Sequence, residues 1–135
     1  MIATLVDSNV VIDVITEDPR YFDWSARALM QAAQAGMLFV NPLIFAEVSA
    51  GFERREDVSA ALDALDFQYA DLPWDAAFVA GKAFTRYRRG GGVRRSPLPD
   101  FYIGAHALVA GLTLLTRDAS RYRTYFPKLA LLAPA

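Results

Sequence analysis

The sequence predicts an α/β fold, a mostly parallel central sheet flanked by helices. Three observations point there. Short apolar runs lack the polar/apolar alternation of a one-sided sheet, segments of helical periodicity separate them, and Gly, Pro or Asn marks many of the junctions. Ile2 to Val6 is the first such run, stopped by Asp7-Ser8-Asn9, after which Val10, Val11, Val14 and Ile15 recur at helical spacing. Phe22 to Ala35 is an alanine-rich helix with Trp24, Ala28, Leu29 and Ala32 in register and Gly36 as its stop. Leu38 to Val40 is the second strand. Asn41-Pro42 then offers an N-cap and a proline at the first helical position, so Leu43 to Ala50 reads as helix with Glu47 about one and a half turns in.

Beyond a break near Gly51, Arg54 to Leu65 is helical, with Val58, Leu62 and Leu65 on one face, and Phe67 to Ala70 is the third strand. Pro73 and Asp75 open a helix that runs to about Arg89, where Gly90-Gly91-Gly92 ends it in a flexible basic loop. Pro97-Leu98-Pro99 is a stiff approach to Asp100. Phe101 to Ala110 is apolar almost all round, as in a helix buried on several sides, and Gly111 closes it before the strand Thr113 to Leu115. Arg117-Asp118 follows at once, and Leu129 to Leu132 is a last short strand.

With 135 residues, 54% of them hydrophobic, the chain suits one domain spanning 1–135 around one core. No apolar stretch approaches the length of a membrane span, so a soluble, cytoplasmic protein is expected. The absence of cysteine excludes disulfides, thiolate zinc sites and cysteine nucleophiles. A metal would have to be held by oxygen or by the single histidine, and oxygen favours magnesium or manganese.

The net charge of −1 conceals a split. Residues 1–75 carry thirteen acids and four bases, and residues 76–135 carry ten bases and two acids. A basic surface around an acidic centre fits a polyanion whose phosphate approaches metal ions. The plain alternative is that the two halves neutralise each other across the fold.

Four acids fall near predicted strand ends: Asp7, Glu47, Asp100 and Asp118. In parallel sheets ligands bind at the carboxyl ends of the strands. Two carboxylates about 5 Å apart repel by roughly 3 kcal/mol at an effective dielectric near 20, so a cluster of four calls for a cation. A magnesium ion held by one or two carboxylates keeps waters that phosphate oxygens replace, which is the arrangement for hydrolysing a phosphodiester without a protein nucleophile. Each acid also has a structural alternative. Asp7 and Asp100 are plausible N-caps, Glu47 a buried ion-pair member, and Asp118 a turn residue paired with Arg121. His106 lies six residues after Asp100, about 240° around a helix, and is left out of the site as a core histidine. Ser8, Asn9 and Thr116 are placed to support a carboxylate by hydrogen bonding.

The segments Leu5-Val6-Asp7-Ser8-Asn9-Val10, Pro42 to Val48, Leu98-Pro99-Asp100 with Ile103, Ala105 and Ala107, and Leu114-Leu115-Thr116-Arg117-Asp118 together resemble the PIN-domain family, with the closest look to VapC-like toxins. The tail Arg121 to Pro127 looks like one bacterial subgroup. The resemblance covers nearly the whole chain. It implies a PIN-like three-layer sandwich and a Mg2+- or Mn2+-dependent endoribonuclease, commonly dimeric and held inactive by a small VapB-like antitoxin. It also implies Asp7, Glu47, Asp100 and Asp118 as the site acids, Asp7 and Asp100 as direct metal ligands, and Asn9 and Thr116 as supporting groups. Some relatives carry an acid where this chain has Arg121, which leaves Asp118 as the local candidate.

Arg88, Arg89, Arg94 and Arg95, with Arg86, surround the triglycine as a candidate RNA-phosphate clamp, and Tyr87 or Tyr102 could stack on a base. A solvated basic loop is the alternative. Two other functions fit less well. A phosphotransferase using Asp7 as nucleophile would want a second Asp at position nine, where the chain has Asn9. A non-catalytic RNA- or protein-binding module would not need all four acids.

Overall fold

The computed structural model describes residues 1–95 and 98–135. Its strands are β1 (Thr4–Val6), β2 (Leu38–Val40), β3 (Phe67–Tyr69), β4 (Thr113–Leu115) and β5 (Leu131–Leu132). The helices are α1 (Ser8–Ile15), α2 (Phe22–Ala35), α3 (Pro42–Ser49), α4 (Arg55–Ala64), α5 (Trp74–Arg89), α6 (Pro99–Ala110) and α7 (Ser120–Tyr125). All strand pairs are parallel, in the order β3-β2-β1-β4-β5, with helices flanking the sheet as the α/β sandwich requires.

The chain steps outward from β1 to β3, then returns to the other side of β1 with β4. That reversal creates a switch point at the carboxyl ends of β1 and β4, where open α/β sheets place their ligands. The register pairs Val6 with Leu115, and the Asp7 amide continues the ladder to the Leu115 carbonyl at 2.8 Å. Asp7 and Thr116 therefore leave the sheet side by side.

The core is mostly aliphatic, with a few aromatic rings. Leu5, Val6, Val10, Val11, Ile44, Leu62, Ile103, Leu114 and Leu115 are fully buried, as are Phe101 and the alanine face of α5 at Ala76, Ala80 and Ala83. Asn41 caps α3 by accepting from the Ile44 amide at 2.9 Å, with Pro42 at the first helical position. Gly111 ends α6 in the left-handed region at φ +69°. Gly36 has a different purpose: a Cβ there would lie 2.0 Å from the Ile2 carbonyl oxygen, so the residue permits close approach of the backbone entering β1.

Three local expectations are corrected. The last strand begins at Leu131; Leu129 is instead a buried anchor outside the sheet. The tail forms α7, which the sequence reading left without an element. Asp100 is not an N-cap, because Leu98 takes that place and Pro99 opens the helix. Pro97, part of the stiff approach to Asp100, lies outside the described residues. No described helix is long and apolar enough to cross a membrane.

Candidate active site

Asp7 stands at the switch point with only 5% of its surface exposed, and both carboxylate oxygens are occupied. Oδ1 accepts from the Ser8 amide at 2.8 Å, capping α1. Oδ2 accepts from the Thr116 hydroxyl and the Tyr122 hydroxyl, each at 2.9 Å. The cap reading and the site reading thus describe different oxygens of one side chain.

Tyr122 is the residue the sequence reading missed. It is 1% exposed on α7, and its hydroxyl lies 2.9 Å from Asp7 Oδ2 and 3.4 Å from Asp100 Oδ1. One phenolic hydrogen is thus shared between carboxylates from two distant segments of the chain. Burial, with the charges of Asp7, Asp100 and Glu47, holds the phenol firmly protonated, so it acts as a donor. Gly104 on α6 makes this possible: a Cβ there would stand 2.6 Å from the Phe126 ring and 3.1 Å from the Tyr122 ring.

Asp100, in the first turn of α6, faces the cluster with an oxygen toward Arg121 at 3.7 Å. The expected turn pair between Asp118 and Arg121 is absent; Asp118 Oδ1 accepts instead from the Ser120 amide and hydroxyl at 3.3 and 3.0 Å. Asp118 sits exposed at the rim, near enough for its charge to disfavour ionisation of Asp100. Glu47 is half-buried on α3 and accepts from the Ser8 hydroxyl at 3.0 Å. Among the described residues it has no basic partner, so the buried ion pair weighed for it does not form. Thr116 donates to Asp7 and receives Asn9 Nδ2 at 3.3 Å, while Asn9 Oδ1 takes the Arg117 amide at 3.1 Å. Asn9 and Thr116 thereby tie α1 to the exit of β4.

Burial is the leading reason that the Asp7, Glu47 and Asp100 carboxyls titrate above their ordinary values. Their mutual repulsion adds to it, with Asp100 acting on Asp7 and both acting on Glu47. Hydrogen bonds from Tyr122, Thr116 and Ser8, and the Arg121 charge beside Asp100, offset part of this. No three acidic or imidazole side chains among the described residues converge at ligating distance of one point. The donor chemistry still suits a hard divalent cation. Asp7 and Asp100 approach one hydroxyl from two sides, their charges are under-compensated, and such ions take most of their remaining ligands from water.

His106 is structural. Asn41 Oδ1 is committed to the Ile44 amide, so Asn41 Nδ2 donates to His106 Nδ1 at 3.0 Å. Burial lowers the imidazole's pKa, which favours the neutral ring. The bond links the start of α3, which carries Glu47, to α6, which carries Asp100.

The basic loop divides its arginines. Arg88 Nη1 donates to the Arg94 carbonyl at 2.7 Å and pins the turn. Gly92 packs on the Tyr87 ring, where a Cβ would lie 2.2 Å from a ring carbon. Tyr87 itself is enclosed by Phe84, Phe101 and Tyr125, with centroids 5.6 to 6.3 Å away, so its ring is committed to packing. Arg94 and Arg95 are exposed, whereas Arg89 lines a groove with Arg86 on the flank of α5.

Comparison with known proteins follows the same outline. A family profile described as PIN domain matches residues 4–127. No curated protein sequence matches the chain. Among solved structures, VapBC2 of Rickettsia felis, crystallised with a DNA fragment from its promoter, superposes with a TM-score of 0.76 at 19% identity, covering 99% of this chain and 100% of that one. DNA-bound VapBC of Salmonella typhimurium gives 0.72 at 19% identity, with 98% of each chain covered. A toxin–antitoxin complex from Klebsiella pneumoniae gives 0.67 at 23% identity, again over 98% of each chain. At these identities the likeness is one of fold.

Proposed function

The chain belongs to the PIN-domain family, and from that premise we propose that it is a metal-dependent endoribonuclease, the toxin of a type II toxin–antitoxin pair. The observation that carries the reading is the shared Tyr122 hydroxyl. It brings Asp7 and Asp100 together at the switch point of the sheet, with Glu47 and Asp118 close enough to raise their electrostatic cost. Apart from Arg121 beside Asp100, the cluster has no counter-charge among the described residues, which fits a site completed by a cation.

Asp7 and Asp100 would hold Mg2+ or Mn2+, and the ion, when bound, supplies Lewis-acid stabilisation of charge on the phosphoryl oxygens. Tyr122 and Thr116 hold Asp7 Oδ2 in place, and Asn9 fixes Thr116. Glu47 has Oε1 engaged by Ser8, and its raised pKa suits it to take a proton from the attacking water on Oε2. Asp118 adds negative charge at the rim. Arg94 and Arg95 lie exposed on the loop leading towards α6, where they can meet substrate phosphates; Arg88 shapes that loop, and Arg89 extends the basic surface along α5.

The structural likeness to toxin–antitoxin complexes supports a small VapB-like antitoxin as partner; RNA as substrate, a homodimer as assembly and the cytoplasm as location come into the proposal through the family resemblance alone. Phosphoryl transfer through Asp7 is disfavoured because that chemistry wants a second Asp at position nine, where the chain has Asn9.

The test is cleavage of total cellular RNA by antitoxin-free protein in magnesium, manganese or chelator, beside an Asp7→Asn/Asp100→Asn variant. Discrete fragments that need metal, and that fall at least about 100-fold in the variant, are expected. Cleavage that survives the chelator or the double substitution would sink the reading.

A further inference from the structure

Along α5, Phe78, Lys82, Arg86 and Arg89 fall within an arc of about 80° at 100° per residue, so they form one stripe. The Lys82 ammonium lies 5.1 Å from the centroid of the Phe78 ring, which is 66% exposed. The Arg86 guanidinium reaches across to the Tyr125 carbonyl at the end of α7. Between these elements runs an open groove of about 470 Å³, with Lys82, Arg86 and Arg89 on one wall and Lys128 on the other. No acid lines it, and none of the four cations has a carboxylate partner among the described residues. The two acids of residues 76–135, Asp100 and Asp118, both stand at the acidic cluster instead.

We infer that this groove is a second nucleic-acid site that holds the backbone of single-stranded RNA, with phosphates on Lys82, Arg86, Arg89 and Lys128 and a base stacked on Phe78. The inference rests on the ribonuclease reading and extends it beyond the reacting centre. Unpaired cations on facing walls match a chain of phosphates, and an exposed aromatic beside them gives an unpaired base its stacking surface. Helix α7 connects the two sites. Tyr122 belongs to the acidic cluster, and Lys128, six residues later, belongs to the groove. A strand lying in the groove is thus led toward the carboxylates.

The measurement is fluorescence anisotropy of an unstructured labelled RNA in chelator, across a salt series. Wild-type protein is compared with Lys82→Gln/Lys128→Gln and with Phe78→Ala, after equal melting temperatures confirm folding. With about 0.7 of slope per phosphate contact on a single strand, the lysine variant should lose about 1.4 from the dependence of log affinity on log salt. Phe78→Ala should lose affinity with its slope intact. A lysine variant with the wild-type slope, or wild-type protein with no salt-dependent binding, overturns the groove. So does loss of binding to poly-glutamate with RNA binding unchanged, which would assign the surface to an acidic protein. Groove-dependent binding by a protein that cuts nothing in magnesium or manganese would keep the groove and overturn the nuclease reading. Cleavage with an unchanged slope would do the reverse.

Discussion

Helix α1 borders two buried carboxylates that are treated in opposite ways. Asp13, 2% exposed, is held by Arg117 through Nε at 2.7 Å and Nη2 at 3.1 Å, and the Ser25 hydroxyl donates to it at 2.7 Å. The guanidinium in turn lies 3.9 Å from the centroid of the Tyr21 ring. Six residues earlier, Asp7 is nearly as buried but among the described residues has only hydroxyls and one amide as donors, with further acids around it. The same side chain in the same fold is thus compensated at one pole and, among the described residues, left without a cationic partner at the other. A fold able to build the first arrangement and carrying the second beside it concentrates its unsatisfied charge where ligands bind.

The largest effect should come from breaking the compensated pole. Arg117→Ala strips a buried carboxylate of its charge partner, and chemical denaturation should show a loss of about 3 kcal/mol. A loss below about 0.5 kcal/mol would show that Ser25 and solvent suffice for Asp13, and the contrast would collapse. Next is Gly104→Ala, which pushes Phe126 and Tyr122 off α6. It should cost about 2 kcal/mol by overpacking and also lower RNA cleavage, because Tyr122 moves with α7. Normal cleavage in a destabilised variant would separate the packing from the site.

Smaller and opposite in sign, Asp7→Asn should stabilise the metal-free protein at neutral pH by about 1 kcal/mol, a few degrees of melting temperature, while abolishing cleavage. The amide can still accept from the Ser8 amide, and its NH2 can donate to Thr116 and Tyr122, whose hydroxyls can turn to accept. A lower melting temperature would show that the Asp7 charge is satisfied after all.

The smallest effect is in pH dependence. Because Asp7, Glu47 and Asp100 titrate above their ordinary values of 3.8, 4.5 and 3.8, the folded state binds the extra protons. The stability they contribute is full below those values and is lost as pH rises through the folded ones. His106 runs the other way: kept neutral, it supports the fold above its ordinary 6.5 and loses that support as pH falls below it. Melting curves of His106→Gln and Asp7→Asn should remove one slope each; a variant that leaves the wild-type slope intact would remove its residue from the account.

Much of this was legible in the sequence. The limits of α2, β2 and β4 match those read from apolar periodicity and the glycine stops, because those signals are local. Asp7, Asp100 and Asp118 could be picked out because each follows a strand or opens a helix, and Glu47 because it is a lone acid in an otherwise apolar helical segment. Tyr122 could not, since Arg121 to Phe126 reads as a basic aromatic tail and α7 is too short for its periodicity to stand out; the resemblance of that tail to one subgroup was the only signal. The Asp13–Arg117 pair spans 104 residues and lies in no motif. The triglycine reads as a flexible loop, and only the packing of Gly92 on Tyr87 and the grip of Arg88 reveal a pinned turn.

The separation of 115 positions between Asp7 and Tyr122 also gives the cluster an order of assembly. Chains are made from the N-terminus, so Asp7 emerges first, Asp100 much later, and the hydroxyl that joins them later still. A nascent chain halted anywhere before α7 holds its carboxylates apart without that joining hydroxyl. Translation itself then leaves the cluster unjoined until α7 has been made.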